Sequence, residues 1–366
     1  MAALLRARAL SWRTLLTAAS CALTHAKSSP RSAAIPYLRQ FYETRRSSLF
    51  AANHRSPSAR PSVPHRSLSS HPPPVFPAPE ESATAAKPNE PELMLSPPVV
   101  FDNLRNSIIA RSARPPLRIF ASAVLAGGLL ASSCAVVIAV VGGLPVAIGI
   151  QKLVAGMLFP AGLSMILFLQ ADLLTSQMSH LALPRVMAAG DPALVSRANK
   201  VLPPAHTARL LSIVFAGNFV GSVAIAAAAA PLLFAALPFS AFAAAAAVAK
   251  TSLPWAVAFA KGIGANYLVN VAVYMAACAK TPGGKMASLW VPIMSFVALG
   301  LEHSVANMFI IPVGIFCGAD VTFAGFFLNN LIPVALGNLV GGLIFASHAL
   351  LHPLPRVNPL GTTSQR

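Results

Sequence analysis

The 366-residue chain is 55% hydrophobic and only 10% charged, with a mean hydropathy of +0.66, whereas soluble domains carry about a quarter charged residues. That composition excludes an ordinary soluble domain. The net charge of +17 does not mark a nucleic-acid binder either. The basic excess sits in a leader and at the edges of apolar stretches, not on one folded face with aromatic residues between the charges.

In chain order, residues 1–95 read as an organellar transit peptide followed by a disordered linker. The first 79 residues hold eleven Lys/Arg against one acid, Glu43, among many Ser, Ala and Pro. Met1 to Ala26 can form a basic amphipathic helix with Arg6, Arg8 and Arg13 among Leu and Trp. An Arg-rich, Ser-rich, acid-poor start is the mark of an organellar address, and no secretory apolar core precedes a small-residue cleavage site. A cytosolic disordered tail is the alternative. His71 to Pro98, with its Pro runs and four glutamates, has too little apolar surface to fold.

Residues 96–353 form the membrane body, and 354–366 a C-terminal tail. A helix needs about 20 mainly apolar residues to cross the hydrocarbon. Six stretches qualify: Phe120–Val141, Ile148–Gln170, Leu210–Phe234, Ala256–Cys278, Leu289–Leu301 continuing through Val305–Phe316, and Phe326–Leu350. The fifth is too long unless broken, and polar residues interrupt it at Gly300-Leu-Glu302-His303. The second runs past its end into Asp172-Leu-Leu-Thr175. Irregular backbone at membrane depth survives only inside protein or along an aqueous cavity.

The two halves repeat. Ala216-Gly-Asn218-Phe-Val-Gly221 answers Leu336-Gly-Asn338-Leu-Val-Gly341, and Asp172-Leu-Leu-Thr-Ser-Gln-Met178 answers Glu302-His-Ser-Val-Ala-Asn-Met308. Three spans per half is an odd number, so the second half is inverted relative to the first. The expected fold is all-α, six transmembrane helices in two inverted three-helix repeats with two broken helices, as in many transport proteins. Arg105, Arg111, Arg114, Arg118, Arg185, Arg197, Lys200, Arg209, Lys280, Lys285 and Arg356 all fall on one side of the spans. By the positive-inside rule both termini face that side.

Of the four cysteines, Cys134, Cys278 and Cys317 sit in or against spans and Cys21 in the leader. No Cys/His spacing suggests a disulfide framework, a metal or any cofactor. His303 is the leading functional candidate. A lone histidine in an apolar helix is usually packed core, but this one lies at a break, beside a carboxylate. Intramembrane ionisable groups are costly and mark function, and imidazole can offer a charge-assisted hydrogen bond or a proton to a weak acid. Thr175 reads as a helix cap or as a hydroxyl facing the pore. Asp172 and Glu302 would repel an anion, so they read as structural, tying down amide N–H groups freed at the breaks. The Gly-Asn-x-x-Gly segments read as close helix contacts, with Asn218 and Asn338 bracing the broken loops.

These residues resemble the formate/nitrite transporter family over about Lys152 to Gly342. The likeness rests on Lys152-Leu-Val-Ala-Gly156, Ala171-Asp-Leu-Leu-Thr-Ser176, Phe215-Ala-Gly-Asn-Phe-Val-Gly221, Gly264-Ala-Asn266, the Glu302-His303 loop and Asn329-Asn-Leu-Ile-Pro-Val-Ala-Leu-Gly-Asn338. Gly300 to Asn338 is most similar to the green-algal plastid-envelope branch, whose members carry nitrite or bicarbonate. The resemblance implies an aquaporin-like protomer in lipid, a homopentamer and one anion pore per protomer. It makes His303 the central pore histidine, Thr175 its partner on the other broken helix, and Asn266 part of the pathway. Phe159 with Phe296 forms one apolar constriction and Leu163 with Leu173 the other, gating by dewetting. Lys250, read as lying in a loop before the fourth span, becomes a mouth lysine that recruits anions across water. Leu174 stands where the family often has Phe, and Lys261 where relatives are apolar.

The resulting expectation is a channel or channel-like transporter for nitrite, bicarbonate or formate, with no enzymatic constellation. The preferred location is the plastid (chloroplast) envelope inner membrane, with the mitochondrial inner membrane second. Proton-coupled export of a monocarboxylate such as lactate or acetate, and a non-conducting scaffold subunit, are the alternatives.

Overall fold

The computed structural model of the protein describes residues 93–352. The expected transit peptide and nearly all of its linker, and the tail 354–366, lie outside the described residues. Within them the chain is all-helical, with one isolated antiparallel bridge between Met94 and Ala279 and no strand. We number the helices α1 (Pro97–Ser112), α2 (Pro116–Val141), α3 (Ile148–Leu158), α4 (Pro160–Phe168), α5 (Leu174–His180), α6 (Leu183–Val186) and α7 (Pro192–Val201). They continue as α8 (Pro204–Leu233), α9 (Phe239–Thr251), α10 (Trp255–Cys278), α11 (Pro282–Ala298), α12 (Ser304–Phe316), α13 (Phe323–Gly325) and α14 (Ile332–Ser347). Many open on proline, whose missing N–H costs nothing at a first turn and whose fixed φ suits it.

Among the described residues, five segments are long and apolar enough to cross a membrane: Pro116–Val141, Ile148–Phe168, Pro204–Leu233, Trp255–Cys278 and Phe323–Leu351. The remaining expected span is two consecutive helices. After α11 the chain turns at Gly300, whose φ of +68° suits a residue without Cβ, and α12 starts only at Ser304. Thirteen residues at 1.5 Å each make α12 about 20 Å long, short of the roughly 30 Å hydrocarbon thickness. The other expected break is also present. The chain leaves α4, passes Gln170 at φ +51° and an extended Leu173, and restarts as α5.

Two segments depart from the sequence reading. Residues 239–251 are helical, so Lys250 sits in the last turn of α9 and not in a loop. The last apolar stretch is not a uniform α-helix, because Phe326–Leu331 is a π-helical turn. Such bulges redirect side chains and are frequent at functional sites.

The helices meet in two matching pairs, α2 with α8 and α10 with α14. The Gly-Asn-x-x-Gly motifs lie at these crossings, as read. A Cβ on Gly221 would overlap the Val124 carbonyl oxygen, and one on Gly341 would overlap that of Ile263. Both contacts are with backbone that has no rotamer to yield. Gly221→Ala and Gly341→Ala are each expected to force the helices apart at a cost of about 1–3 kcal/mol or more. Thermal unfolding in detergent should show a lowered midpoint for both, and wild-type midpoints would contradict close contact at these crossings.

Candidate functional site at the two helix breaks

Each break is held by one asparagine making the same three bonds. Asn218, on α8, accepts from the Leu174 amide at 2.9 Å and donates to the carbonyls of Ala123 and Asp172 at 2.7 and 3.0 Å. Asn338, on α14, accepts from the Ser304 amide at 2.8 Å and donates to the carbonyls of Gly262 and Glu302 at 2.8 and 3.0 Å. Both are fully buried. Each one caps a half-helix whose first N–H groups have no partner of their own and tethers the short extended segment before it.

The carboxylates therefore have another task than the one expected of them. Asp172 does not collect amide N–H groups from α5. It accepts from Arg111 Nη1 at 3.1 Å, Arg114 Nη2 at 2.5 Å and Gln177 Nε2 at 2.8 Å. Glu302 accepts from Lys250 Nζ at 2.9 and 3.0 Å and from Asn307 Nδ2 at 2.7 Å. Asn330, turned inward by the π-helical turn, bridges this group. It accepts from Asn307 at 2.7 Å and donates to the Lys250 carbonyl at 2.9 Å. Acid, cation and an amide five residues on recur at both breaks. Buried charges persist only when paired and hydrogen-bonded in this way. Lys250 is thus an ion-paired residue with a side chain 21% exposed, which corrects the reading of a freely solvated mouth lysine.

Thr175 and His303 meet between the breaks. Thr175 Oγ1 lies 3.0 Å from His303 Nε2, both residues being buried. His303 is also the N-cap of α12, its Nδ1 accepting from the Ala306 amide at 3.1 Å. An Nδ1 that accepts carries no proton, so the neutral ring bears its proton on Nε2 and donates it to Thr175 Oγ1. The Thr175 hydroxyl hydrogen is then free to point elsewhere. Thr175 is not a cap, since α5 begins at Leu174. Its carbonyl accepts from Asn266 Nδ2 at 3.1 Å, and the same Nδ2 donates to the Asn338 carbonyl at 2.6 Å. Asn266 therefore links the two halves behind the threonine.

Phe296 stacks on the His303 ring, centroids 5.9 Å apart, and Phe159 meets Phe296 edge-on at 5.4 Å. Of the expected aromatic pair, Phe296 thus sits directly against the histidine and Phe159 against Phe296. Leu163 and Leu173 are buried in the same core on the α4–α5 side. Beyond Leu173 a cavity of about 370 Å³ opens among α1, α5, α10 and α11. No cluster of three or more potential metal ligands occurs among the described residues.

Sequence reasoning took Arg111 and Arg114 only as loop charges and did not weigh Asn307 and Asn330 individually. The signal was present in the repeat itself, which sets Gln177 five residues after Asp172 and Asn307 five after Glu302.

Several apolar helices long enough to cross a bilayer, with two half-helices meeting at buried polar residues, define a helical membrane transport protein. The comparisons then give the family. Residues 98–351 match the profile described as "Formate/nitrite transporter", and the chain belongs to that family. A "Probable formate transporter" of Methanothermobacter thermautotrophicus is 40% identical over 241 residues, covering 60% of this chain and 81% of the relative. The "Formate channel FocA" of Haemophilus influenzae is 36% identical over 220 residues, covering 54% and 72%. Among solved structures, an "FNT family ion channel" aligns with a TM-score of 0.61 at 26% identity, over 69% of this chain and 98% of its own. A "Pentameric formate channel with formate bound" aligns at 0.54 and 28%, over 65% and 96%. These relatives are channels and transporters, not enzymes.

Proposed function

We propose that the protein is a homopentameric channel for small monovalent anions of the formate, nitrite and bicarbonate class, with one pore per protomer running past Thr175 and His303. The observation that carries this reading is the Thr175–His303 contact at 3.0 Å, made between half-helices from the two halves of the chain. An anion arriving there meets the free Thr175 hydroxyl, the positive ends of two half-helices and an imidazole that can share its proton. Such hydrogen bonds replace part of the hydration lost in a dry slit, and charge assistance makes them stronger than neutral ones. Phe159 and Phe296 on one side and Leu163 and Leu173 on the other are the apolar constrictions that keep that slit dry.

The matched hydrogen bonds of Asn218 and Asn338 support six membrane crossings in two inverted repeats, α11 and α12 together making one crossing. Lys250 belongs to the pathway as a cation held beside the His303 break by Glu302, and Asn266 as the brace of Thr175. A pentamer is favoured by the solved formate channel it resembles. The basic, acid-poor first 79 residues support import into an organelle. Gly300–Asn338 favours the plastid-envelope branch and hence the inner envelope membrane.

Anion-by-anion uptake into proteoliposomes tests the function. Formate, nitrite and bicarbonate fluxes above those of empty vesicles are expected, and no flux of any of the three would contradict it. For the location, an antibody to the first residues should find them removed from the membrane-bound protein. Full-length protein at the plasma membrane with Met1 intact would contradict organellar import.

A further inference from the structure

Away from the Thr175–His303 centre lies a cavity of about 420 Å³. It opens where the bend after α1, the start of α2, the end of α7 and the start of α8 come together. No residue of α5, α10, α11, α12 or α14 lines it, so it is not part of the pathway proposed above. Its lining divides by chemistry. Arg114, His206 and Arg209 supply the polar part, and Ile109, Leu210 and Ile213 much of the apolar part. None of the lining residues is acidic. Arg209 is exposed and makes no hydrogen bond or ion pair among the described residues. Arg114 donates Nε to the Arg111 carbonyl and Nη2 to Asp172, which leaves Nη1 unengaged. His206 Nε2, 3.2 Å from the Ser112 carbonyl oxygen, ties the start of α8 to the end of α1.

The cations and the apolar side chains also lie at different depths. Arg114 stands just before the start of α2, and Arg209 lies in the second turn of α8. Both helices are long and apolar enough to cross a membrane, so their starts lie at headgroup level. Ile213 comes four residues after Arg209, about 6 Å deeper at 1.5 Å per residue. Cations at the interface with leucine and isoleucine beneath them suit a phosphate that carries an acyl chain. A free phosphate would leave the apolar part uncovered. Basic pockets between membrane helices on the cytoplasmic or matrix side take headgroups of this class, and the loop charges put Arg114 and Arg209 on that side. We propose that this cavity binds an anionic phospholipid, its phosphate diester held by Arg209 and Arg114 Nη1 and one acyl chain laid along Ile109 and Ile213. The bound phosphate also steadies Arg114, the cation that pairs with Asp172 at the first break. The proposal rests on the membrane placement of α2 and α8 and not on the pore, so loss of anion flux and loss of lipid binding are separate results.

The test uses full-length protein in a neutral detergent, with the melting midpoint as readout. Phosphatidylglycerol is expected to raise the midpoint as its concentration increases, phosphatidylcholine much less, and inorganic phosphate at equal concentration not at all. Arg209→Gln is expected to shift the phosphatidylglycerol response to about tenfold higher lipid, the effect of one lost hydrogen bond to a charged partner. Arg209→Lys should keep most of the response. Arg197→Gln, on α7 but outside the cavity lining, removes the same charge from the same side of the membrane and should respond as wild type. An unchanged response in Arg209→Gln overturns the proposal. So does an equal loss in Arg197→Gln, which would mean attraction to the basic surface at large. A rise with inorganic phosphate equal to that with phosphatidylglycerol would make the cavity an anion site and not a lipid site. An Arg209→Gln protein with lowered oligomer yield in lipid-free detergent and an intact lipid response would assign this face to a second copy of the chain.

Discussion

Lys250→Met is expected to lower the stability of the folded protein by about 3–5 kcal/mol, because it strands the buried Glu302 carboxylate without its cation. Lys250→Glu should be worse, setting two carboxylates against each other where Asn307 and Asn330 donate to only one. A lysine acting across water would behave differently. Two unit charges a few ångströms apart in water interact by about 1 kcal/mol, and about 1 M salt shortens the screening length to roughly 3 Å. Loss of a mouth lysine would therefore fade as salt is raised. The Lys250–Glu302 pair is shielded from that screening, so the damage should persist at every ionic strength. Folded yield and melting temperature at low and high salt separate the two cases. A Lys250→Met protein with wild-type melting, or one rescued by salt, would contradict the network. Lys250→Arg is no neutral control, since a planar guanidinium replaces a compact ammonium that reaches both Glu302 oxygens.

Asn338→Leu is expected to release the first turn of α12. It removes the acceptor for the Ser304 amide and the donor for the carbonyls of Gly262 and Glu302. Each buried group left unsatisfied costs about 1–3 kcal/mol, and two of the three, on Glu302 and Ser304, flank His303 in the chain. Because Asn218 makes the same three bonds at the other break, Asn218→Leu should do equal damage to α5 and to the position of Thr175. Hydrogen exchange at the amides of Ser304 and Leu174 reports each release locally. Fast exchange confined to the mutated break is the expected outcome. Unchanged protection at Ser304 in Asn338→Leu would mean that the asparagine is not what holds the break.

Much of this arrangement was legible in the sequence because the chain states it twice. The repeat of Gly-Asn-x-x-Gly located the crossings and the two bracing asparagines. The aligned Asp172 and Glu302 located the breaks, since a carboxylate in an apolar run requires a special surrounding. What the repeat did not give was the partner of each carboxylate. Arg111, on α1, and Arg114, in the bend that follows it, come from outside the aligned segments, and in one dimension they read as positive-inside charges like their neighbours. Lys250 was misplaced for a similar reason. Ala243 to Ala247 with Val248 offers a helix too short to span, so apolar length alone passed it over. The π-helical turn that aims Asn330 at Glu302 has no compositional mark in Phe326–Leu331. The cap formed by His303 Nδ1 was also hidden, since Ser, Thr, Asp and Asn are the usual caps.

The cap determines how the central claim is best tested. His303→Asn keeps a side-chain acceptor for the Ala306 amide but has no imidazole Nε2 to meet Thr175. It therefore separates the histidine's structural task from its proposed chemical one. The measurement is initial formate uptake by proteoliposomes of wild-type and His303→Asn protein at one fixed pH. Equal oligomer yields by size exclusion are the control. His303→Asn uptake should be about tenfold lower than wild type, the effect of one lost charge-assisted contact. His303→Asn uptake equal to wild type would contradict a pore built on His303.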